Sequence, residues 1–340
     1  MIFFDATNSS GAAHRSGLVR VGARLREEFG AAAAPVRWGE WDRAAGPSDW
    51  FLTAELFSEA ERPGFSEFLA NRRCRAAAIF HDLIPLRHPH TTWPQSVARH
   101  PEYVKLLARF DRVWAVSAAG RDDLLAFWRW QGIERPPTVE VLALGADFNA
   151  GTRAAGPWAA NGPPSLLCVG ILEPRKNQTL LLEVCDTLWG EGKSFELHFV
   201  GRVNPHFGGP IARHIRGLSR RRPGLRHHAA ASDAELAGLY SLARASLFPS
   251  LAEGCGLPLL ESLWMGVPCI CSDLPVLGEN ARAGGCLCVA PDDRAAWTAA
   301  LRRALDDDAL VGRLAAEASC RPLPTWADTA RSLSYSFFKA

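Results

Sequence analysis

Long apolar runs are missing from this chain. No stretch approaches the roughly 18 uninterrupted apolar residues of a membrane-spanning helix, so none is expected. Charge of one sign is equally scarce: 38 Lys and Arg stand against 36 Asp and Glu, a formal net charge of +2. A nearly neutral chain argues against general nucleic-acid binding, which draws its affinity from phosphate neutralisation. The opening Met-Ile-Phe-Phe-Asp5 lacks the basic-then-apolar layout of a secretory leader and reads as a first strand. Internal repeats and low-complexity tails are absent too.

What is present is ordinary for a globular protein, with 48% hydrophobic and 22% charged residues. At 340 residues the chain is long for one core, and two domains of about 150 residues are expected. Nine cysteines, an odd number without a leader, favour a reducing, cytoplasmic setting. The pairs Cys269-Ile-Cys271 and Cys286-Leu-Cys288 invite a zinc reading. Structural zinc sites usually place two to four residues between paired ligands, not one. Both pairs also lie in apolar runs that read as buried strands, where free Cys is a common small core residue.

Apolar strand-like runs alternate with amphipathic helical stretches, the pattern of an α/β protein with a parallel sheet in each half. Ile2-Phe-Phe, Ala76 to Phe80 and Val113 to Val116 are expected strands of the first half. The last two end in His81-Asp82 and Ser117, and ligands of open α/β sheets gather outside the carboxyl ends of strands. Residues 151–164, rich in Gly, Ala and Pro, read as a linker between domains at 1–150 and 165–322. The final stretch, 323–340, reads as helical from Trp326 to Phe338. Asp233, two residues before Glu235, is expected to cap the helix that it opens.

The most informative segment runs from Pro249 to Pro268, as Pro-Ser-Leu-Ala-Glu253-Gly254-Cys255-Gly256-Leu257-Pro-Leu-Leu-Glu261-Ser-Leu-Trp-Met-Gly-Val-Pro. A Gly-x-Gly turn lets backbone N–H groups approach a ligand, and the N-terminus of the following helix favours anions. Glu253 at the turn and Glu261 about two helical turns deeper could hold opposite ends of one elongated, phosphate-containing molecule. A second segment, Gly170-Ile-Leu-Glu-Pro-Arg175-Lys176-Asn177, puts two cations between a strand and a helix, in a surface loop suited to pyrophosphate.

Together these segments resemble the donor-binding signature of retaining glycosyltransferases of family 4, with Cys255 where an aromatic is usual, Ser262 for Ala and Ile171 where many members carry Arg. His81-Asp-Leu-Ile-Pro85 and Ser16-Gly17-Leu-Val-Arg20-Val21 resemble segments of the bacterial mannosyltransferase-like subgroup. The resemblance implies an α/β, GT-B architecture: two Rossmann-like domains with parallel sheets facing a central cleft, and a C-terminal helix crossing back to the first domain. It implies transfer of a hexose from a nucleoside-diphosphate sugar to a saccharide or lipid-linked acceptor, with retention, in bacterial surface polysaccharide synthesis. GDP-mannose is favoured over UDP-hexoses and deoxysugar nucleotides.

On the same footing, Glu253, Lys176, Arg175 and His81 are the expected catalytic residues. Gly17, Gly170, Gly254, Cys255, Gly256, Leu257, Glu261 and Ser232 are expected to contact the donor. Ser117 and Gly145 match cleft-facing positions of the family. No glycosyl nucleophile of the glycosidase kind is evident, so the leaving diphosphate is expected to assist deprotonation of the acceptor. No cofactor and no metal are expected, because cations and helix dipoles can balance the diphosphate. The basic segment from Arg213 to Arg222 suits anionic headgroups, hence peripheral association at the inner face of the plasma membrane. A sugar-nucleotide epimerase, a phosphorylase and an inactive nucleotide-sugar-binding scaffold stay open as alternatives.

If these readings hold, the purified protein contains no stoichiometric zinc and transfers sugar in excess EDTA. A thiolate-zinc site would contribute folding energy directly. One zinc per chain by elemental analysis, with a lower melting temperature after chelation, is the opposite outcome.

Overall fold

The computed structural model describes residues 1–9, 17–41, 45–148, 153 and 162–338. Most of the expected linker therefore lies outside the described residues. The chain divides into two compact units, Met1–Gly145 with Pro324–Ala340, and Ala146–Leu323. The first unit thus ends short of the expected residue 150.

The first unit holds strands β1 (Ile2–Asp5), β2 (Ala33–Val36), β3 (Trp50–Thr53), β4 (Arg75–Phe80), β5 (Arg112–Ala115) and β6 (Thr138–Val141). They form one sheet in the order β2-β1-β3-β4-β5-β6, parallel throughout. Helices cover a parallel sheet on both faces, so its inner strands read as continuous apolar runs rather than alternating ones. β4, Arg-Ala-Ala-Ala-Ile-Phe, is buried at every position after the first. The C-terminal helix Trp326–Phe338 packs within this unit. Trp50 Nε1 donates to the Phe337 carbonyl at 3.2 Å, and the two rings lie 4.8 Å apart. Thr329 Oγ1 donates to the Ala143 carbonyl at 2.9 Å.

The second unit holds β7 (Ser165–Val169), β8 (Glu196–Val200), β9 (Leu225–His228), β10 (Ala245–Phe248), β11 (Cys269–Ser272) and β12 (Cys286–Val289). Their order is β12-β11-β10-β7-β8-β9, again all parallel. Its core gathers Leu181, Leu188, Phe199, Ile270 and Trp297, and burying such side chains contributes about 1.5–3 kcal/mol each. From β7 the chain builds outward through β8 to β9, then returns to place β10 on the other side of β7. That reversal makes the carboxyl ends of β7 and β10 the crevice where open α/β sheets take ligands.

Two sequence expectations need correction. Ser232, not Asp233, caps the helix Asp233–Leu242: its hydroxyl accepts from the Glu235 N–H while Glu235 returns a bond to the Ser232 N–H. That reciprocal box needs a spacing of three, which Ser232 has and Asp233 lacks. The cysteine pairs do lie on strands, but only Cys269 and Cys271 are core residues. β12 is an edge strand, so Cys286 is half-buried and Cys288 exposed. Gly145 is held tightly against the end helix: a Cβ there would run into the Trp326 backbone nitrogen and meet its Cγ at 2.6 Å.

Gly145→Ala is accordingly expected to force the end helix off its seat, at a cost of about 1–3 kcal/mol typical of overpacking. Denaturant unfolding with a wild-type midpoint would show that Trp326 yields without loss.

Candidate functional site

The site grows from the two loops at the β7/β10 crevice. After β7 the chain passes Gly170 into a short 3-10 turn, Pro174–Lys176, and Asn177 then turns left-handed, with φ 52°, to open the helix Gln178–Gly190. Arg175 and Lys176 are thereby fixed at the strand's carboxyl end. After β10 comes the Glu253 turn. Gly256 caps the next helix, Leu257–Trp264, with φ 85°, a conformation that L side chains rarely adopt. A Cβ there would also lie 2.7 Å from Leu277 Cδ2.

The two loops meet in an ion-pair cluster. Lys176 Nζ donates to Glu253 Oε1 at 2.5 Å, Arg175 Nη1 stands 3.5 Å from Glu253 Oε2, and Arg175 Nη2 donates to Glu173 Oε1 at 2.7 Å. The Lys176 ammonium also lies 4.9 Å from the centre of the Phe248 ring. Lys176 is not the surface residue that the sequence suggested: its side chain is 11% exposed and that of Glu253 8%. Burial pushes the Glu253 carboxyl up, but Lys176 and Arg175 outweigh it and hold the group below the usual carboxylate range. Burial in turn draws the Lys176 ammonium down, against the pull of Glu253.

Glu261 is buried at 3% exposure in the second turn of its helix. Gly254 and Cys255 are half-buried in the turn, and Leu257 is buried at the start of the helix. Burial raises the Cys255 thiol to about 12. Gly170 is half-buried, with the Lys176 stem 3.6 Å from where its Cβ would be. Ser232 is exposed, beyond the end of β9. The second unit thus brings together Arg175, Lys176 and Glu253.

His81 and Gly17 belong to the first unit. His81 is buried, and its Nε2 lies 2.8 Å from the Ala54 carbonyl, so that nitrogen carries the proton. Burial lowers its pKa despite that bond and the nearby Asp82, leaving a neutral ring. Asp82 orients the loop by accepting from the Ile84 N–H at 2.9 Å. Ser117 is a helix cap, accepting from the Gly120 N–H at 3.0 Å. Gly17 is exposed at the start of the helix Gly17–Phe29, where an added Cβ meets nothing within 4 Å.

Sequence reasoning passed over several positioning groups. Glu173 is buried and joins Arg175 to Asn204, whose Nδ2 donates to its Oε2 at 2.9 Å. Asn280 holds the Glu253 turn by donating to the Cys255 carbonyl at 2.7 Å. In the first unit Arg62 is fully buried between Asp5 and Glu55, and Glu55 accepts from the Asn8 and Ser9 N–H groups. Glu173 lay inside the quoted Glu-Pro-Arg-Lys-Asn string and so carried a local signal. The other partners, apart from Arg62 and Glu55 seven residues apart, are joined over long separations and carried none.

Residues 163–307 match the family model described as glycosyl transferases group 1. They form a group 1 glycosyl transferase domain. The chain is 33% identical over 248 residues to the serotype-specific mannosyltransferase WbdA of Escherichia coli, an alignment spanning 68% of this chain and 30% of that relative. It is 43% identical over 68 residues to the O-antigen chain mannosyltransferase RfbU of Salmonella typhimurium, covering 20% and 19% of the two chains. This chain therefore spans well under half of these curated relatives. Among solved structures, sucrose-phosphate synthase from Thermosynechococcus elongatus superposes with a TM-score of 0.77 at 17% identity, over 99% of this chain and 98% of that one. HepE of Anabaena, in complex with UDP, gives 0.74 at 11% identity, over 100% and 99%. At such identities the likeness shows the fold, which is GT-B with two Rossmann-like α/β units.

The ion pair makes the transferase domain sensitive to its own site. Lys176→Ala takes away the nearer of the two cations beside the buried Glu253 and is expected to cost about 3 kcal/mol, the lower end for a broken buried pair. Replacing both partners, as Lys176→Met with Glu253→Leu, should recover most of that. Because the Glu253 pKa is depressed, its contribution is full above the unfolded value of about 4.3 and is lost as pH falls through the folded one. A Lys176→Ala protein with the wild-type unfolding midpoint at neutral pH would contradict the buried pairing.

Proposed function

We propose that this protein is a retaining hexosyltransferase. It moves a hexose, mannose foremost, from a nucleoside-diphosphate sugar to a saccharide or lipid-linked acceptor in bacterial surface polysaccharide synthesis. The observation that carries this reading is the Lys176–Glu253 contact at the β7/β10 crevice, which pairs a phosphate-suited cation with a hydroxyl-binding carboxylate. The mannosyltransferase relatives support the sugar, and WbdA and RfbU give the setting its direction.

The chemistry follows from the charges. Arg175 and Lys176 are balanced by Glu173 and Glu253 before any donor arrives. An incoming diphosphate competes for Lys176, and the Glu253 carboxylate so released accepts hydrogen bonds from the sugar hydroxyls. Arg175, Lys176 and loop N–H groups then stabilise the departing diphosphate, whose oxygen assists deprotonation of the acceptor. Glu261 accepts from the ribose hydroxyls, and the segment ending in Ser232 lies against the base. In the first unit, the family resemblance assigns His81, neutral and tethered by Nε2, to the sugar and Gly17 to the donor phosphates. No metal takes part.

No described helix is long and apolar enough to cross a membrane. Arg213, Arg216 and Arg220 are exposed along and just beyond the helix Gly209–Ser219, whereas Arg221 and Arg222 pair with Asp186 at 3.0 and 2.8 Å. The first three form the surface for peripheral contact with anionic lipid on the cytoplasmic side.

A melting-temperature panel of nucleotide sugars identifies the donor, since a ligand at about 100 times its Kd adds roughly 2.7 kcal/mol. With that donor, Glu261→Ala is expected to weaken nucleoside-diphosphate binding. Glu253→Ala frees Lys176 for the diphosphate and so should not weaken such binding, while transfer falls by about 10²- to 10³-fold. Equal affinity losses for the two variants in calorimetry would refute this division of roles.

A further inference from the structure

The thiols of β11 and β12 form a compact group that the transfer reaction does not use. The two strands run parallel and in register, with Cys269 opposite Cys286 and Cys271 opposite Cys288. In each strand the two cysteines are two residues apart, so all four share one face of the sheet. Cys271 is fully buried, whereas Cys288 is exposed on the edge strand. Their Sγ atoms lie 3.8 Å apart.

We propose that Cys271 and Cys288 are a reversible oxidation site, at which a hydroperoxide converts the exposed thiol and its buried neighbour into a disulfide joining β11 to β12. Neighbouring strands lie about 4.7–4.9 Å apart, inside the usual Cα separation of 4.4–6.8 Å for a disulfide. The sulfurs therefore need to close from 3.8 Å to the bonded length of about 2.05 Å by side-chain rotation.

The two thiols differ in the way the chemistry needs. The hydrogen bond from Cys271 pulls the Cys288 thiol down to about 7, against its partial burial and the nearby Asp273 carboxylate. Hydrogen bonds to Cys269, Cys286 and Cys288, followed by burial, push the Cys271 thiol far up, so it stays protonated and donates. The Cys288 thiolate attacks the distal peroxide oxygen, and the O–O bond breaks. This gives a sulfenic acid and, after protonation, one alcohol or water. Cys271 sulfur then attacks the Cys288 sulfur. Its proton leaves with the sulfenic hydroxyl as water, the S–S bond forms, and the two thiols have together given two electrons to the peroxide. A thiol reductant reverses the change.

Trypsin makes the test direct, because cleavage after Arg244, Arg282 and Arg294 puts Cys271 and Cys288 on separate peptides, 245–282 and 283–294. The full-length protein is treated with stoichiometric hydrogen peroxide, alkylated, digested and analysed by mass spectrometry. A linked 245–282/283–294 pair is expected, lost on reduction, retained in Cys286→Ser and reduced at least tenfold in Cys288→Ser. Cys271→Ser should instead leave Cys288 as a sulfenic acid that a dimedone probe traps. Cys288→Ser replaces an exposed side chain, so it tests the pairing even if Cys271→Ser folds poorly. An unlinked wild-type digest, or a cross-link undiminished in Cys288→Ser, would overturn the assignment.

Discussion

The ion pair between Lys176 and Glu253 ties the transferase domain together where its sheet changes direction. Each residue comes from a loop at the carboxyl end of a different strand, and 77 positions separate them in the chain. Two charges taken this far out of water are tolerable only because each neutralises the other, and Arg175 and Glu173 extend the balance. Loop geometry and local stability are therefore linked. A change at either end alters both the ligand crevice and the energy of the fold around it.

The same pair gives the proposed reaction its order. A site already neutral before donor binding does not attract diphosphate through net charge; it offers cations that can change partner. Glu253 then becomes available for sugar hydroxyls only once phosphate has taken over the ammonium. A lysine suits this exchange, being a single compact charge on a flexible stem. The neighbouring arginine, forked between the Glu173 carboxylate and the Ala252 carbonyl at 2.7 and 2.8 Å, serves as the fixed support.

Much of the architecture was legible in the chain. The Ala-Ala-Ala-Ile-Phe run of β4 and all of β10, Ala-Ser-Leu-Phe, are buried, and largely apolar runs are what inner parallel strands require. The end helix could be read from the sequence, with the bounds that it has in the structure. Its seat against Trp50 and Gly145 could not, because nothing local records a partner nearly three hundred or nearly two hundred positions away. The cysteine strands divide along the same line. Their apolar character marked them as strands, yet the same pattern fits an inner or an edge position, and only sheet order exposes Cys288.

By itself the sequence determined the α/β alternation, the two landmark loops and the residue types within them, because strand period, helix period and turn chemistry are local properties. It also contains the Ser232–Glu235 spacing of three that the capping box requires. Tertiary structure alone decided that Lys176 is buried against Glu253, that Glu173 and Asn204 brace Arg175, and that Cys271 faces Cys288 on the sheet edge. Burial and pairing depend on which strands become neighbours. That choice is made by the whole core at once, and no short window of sequence contains it.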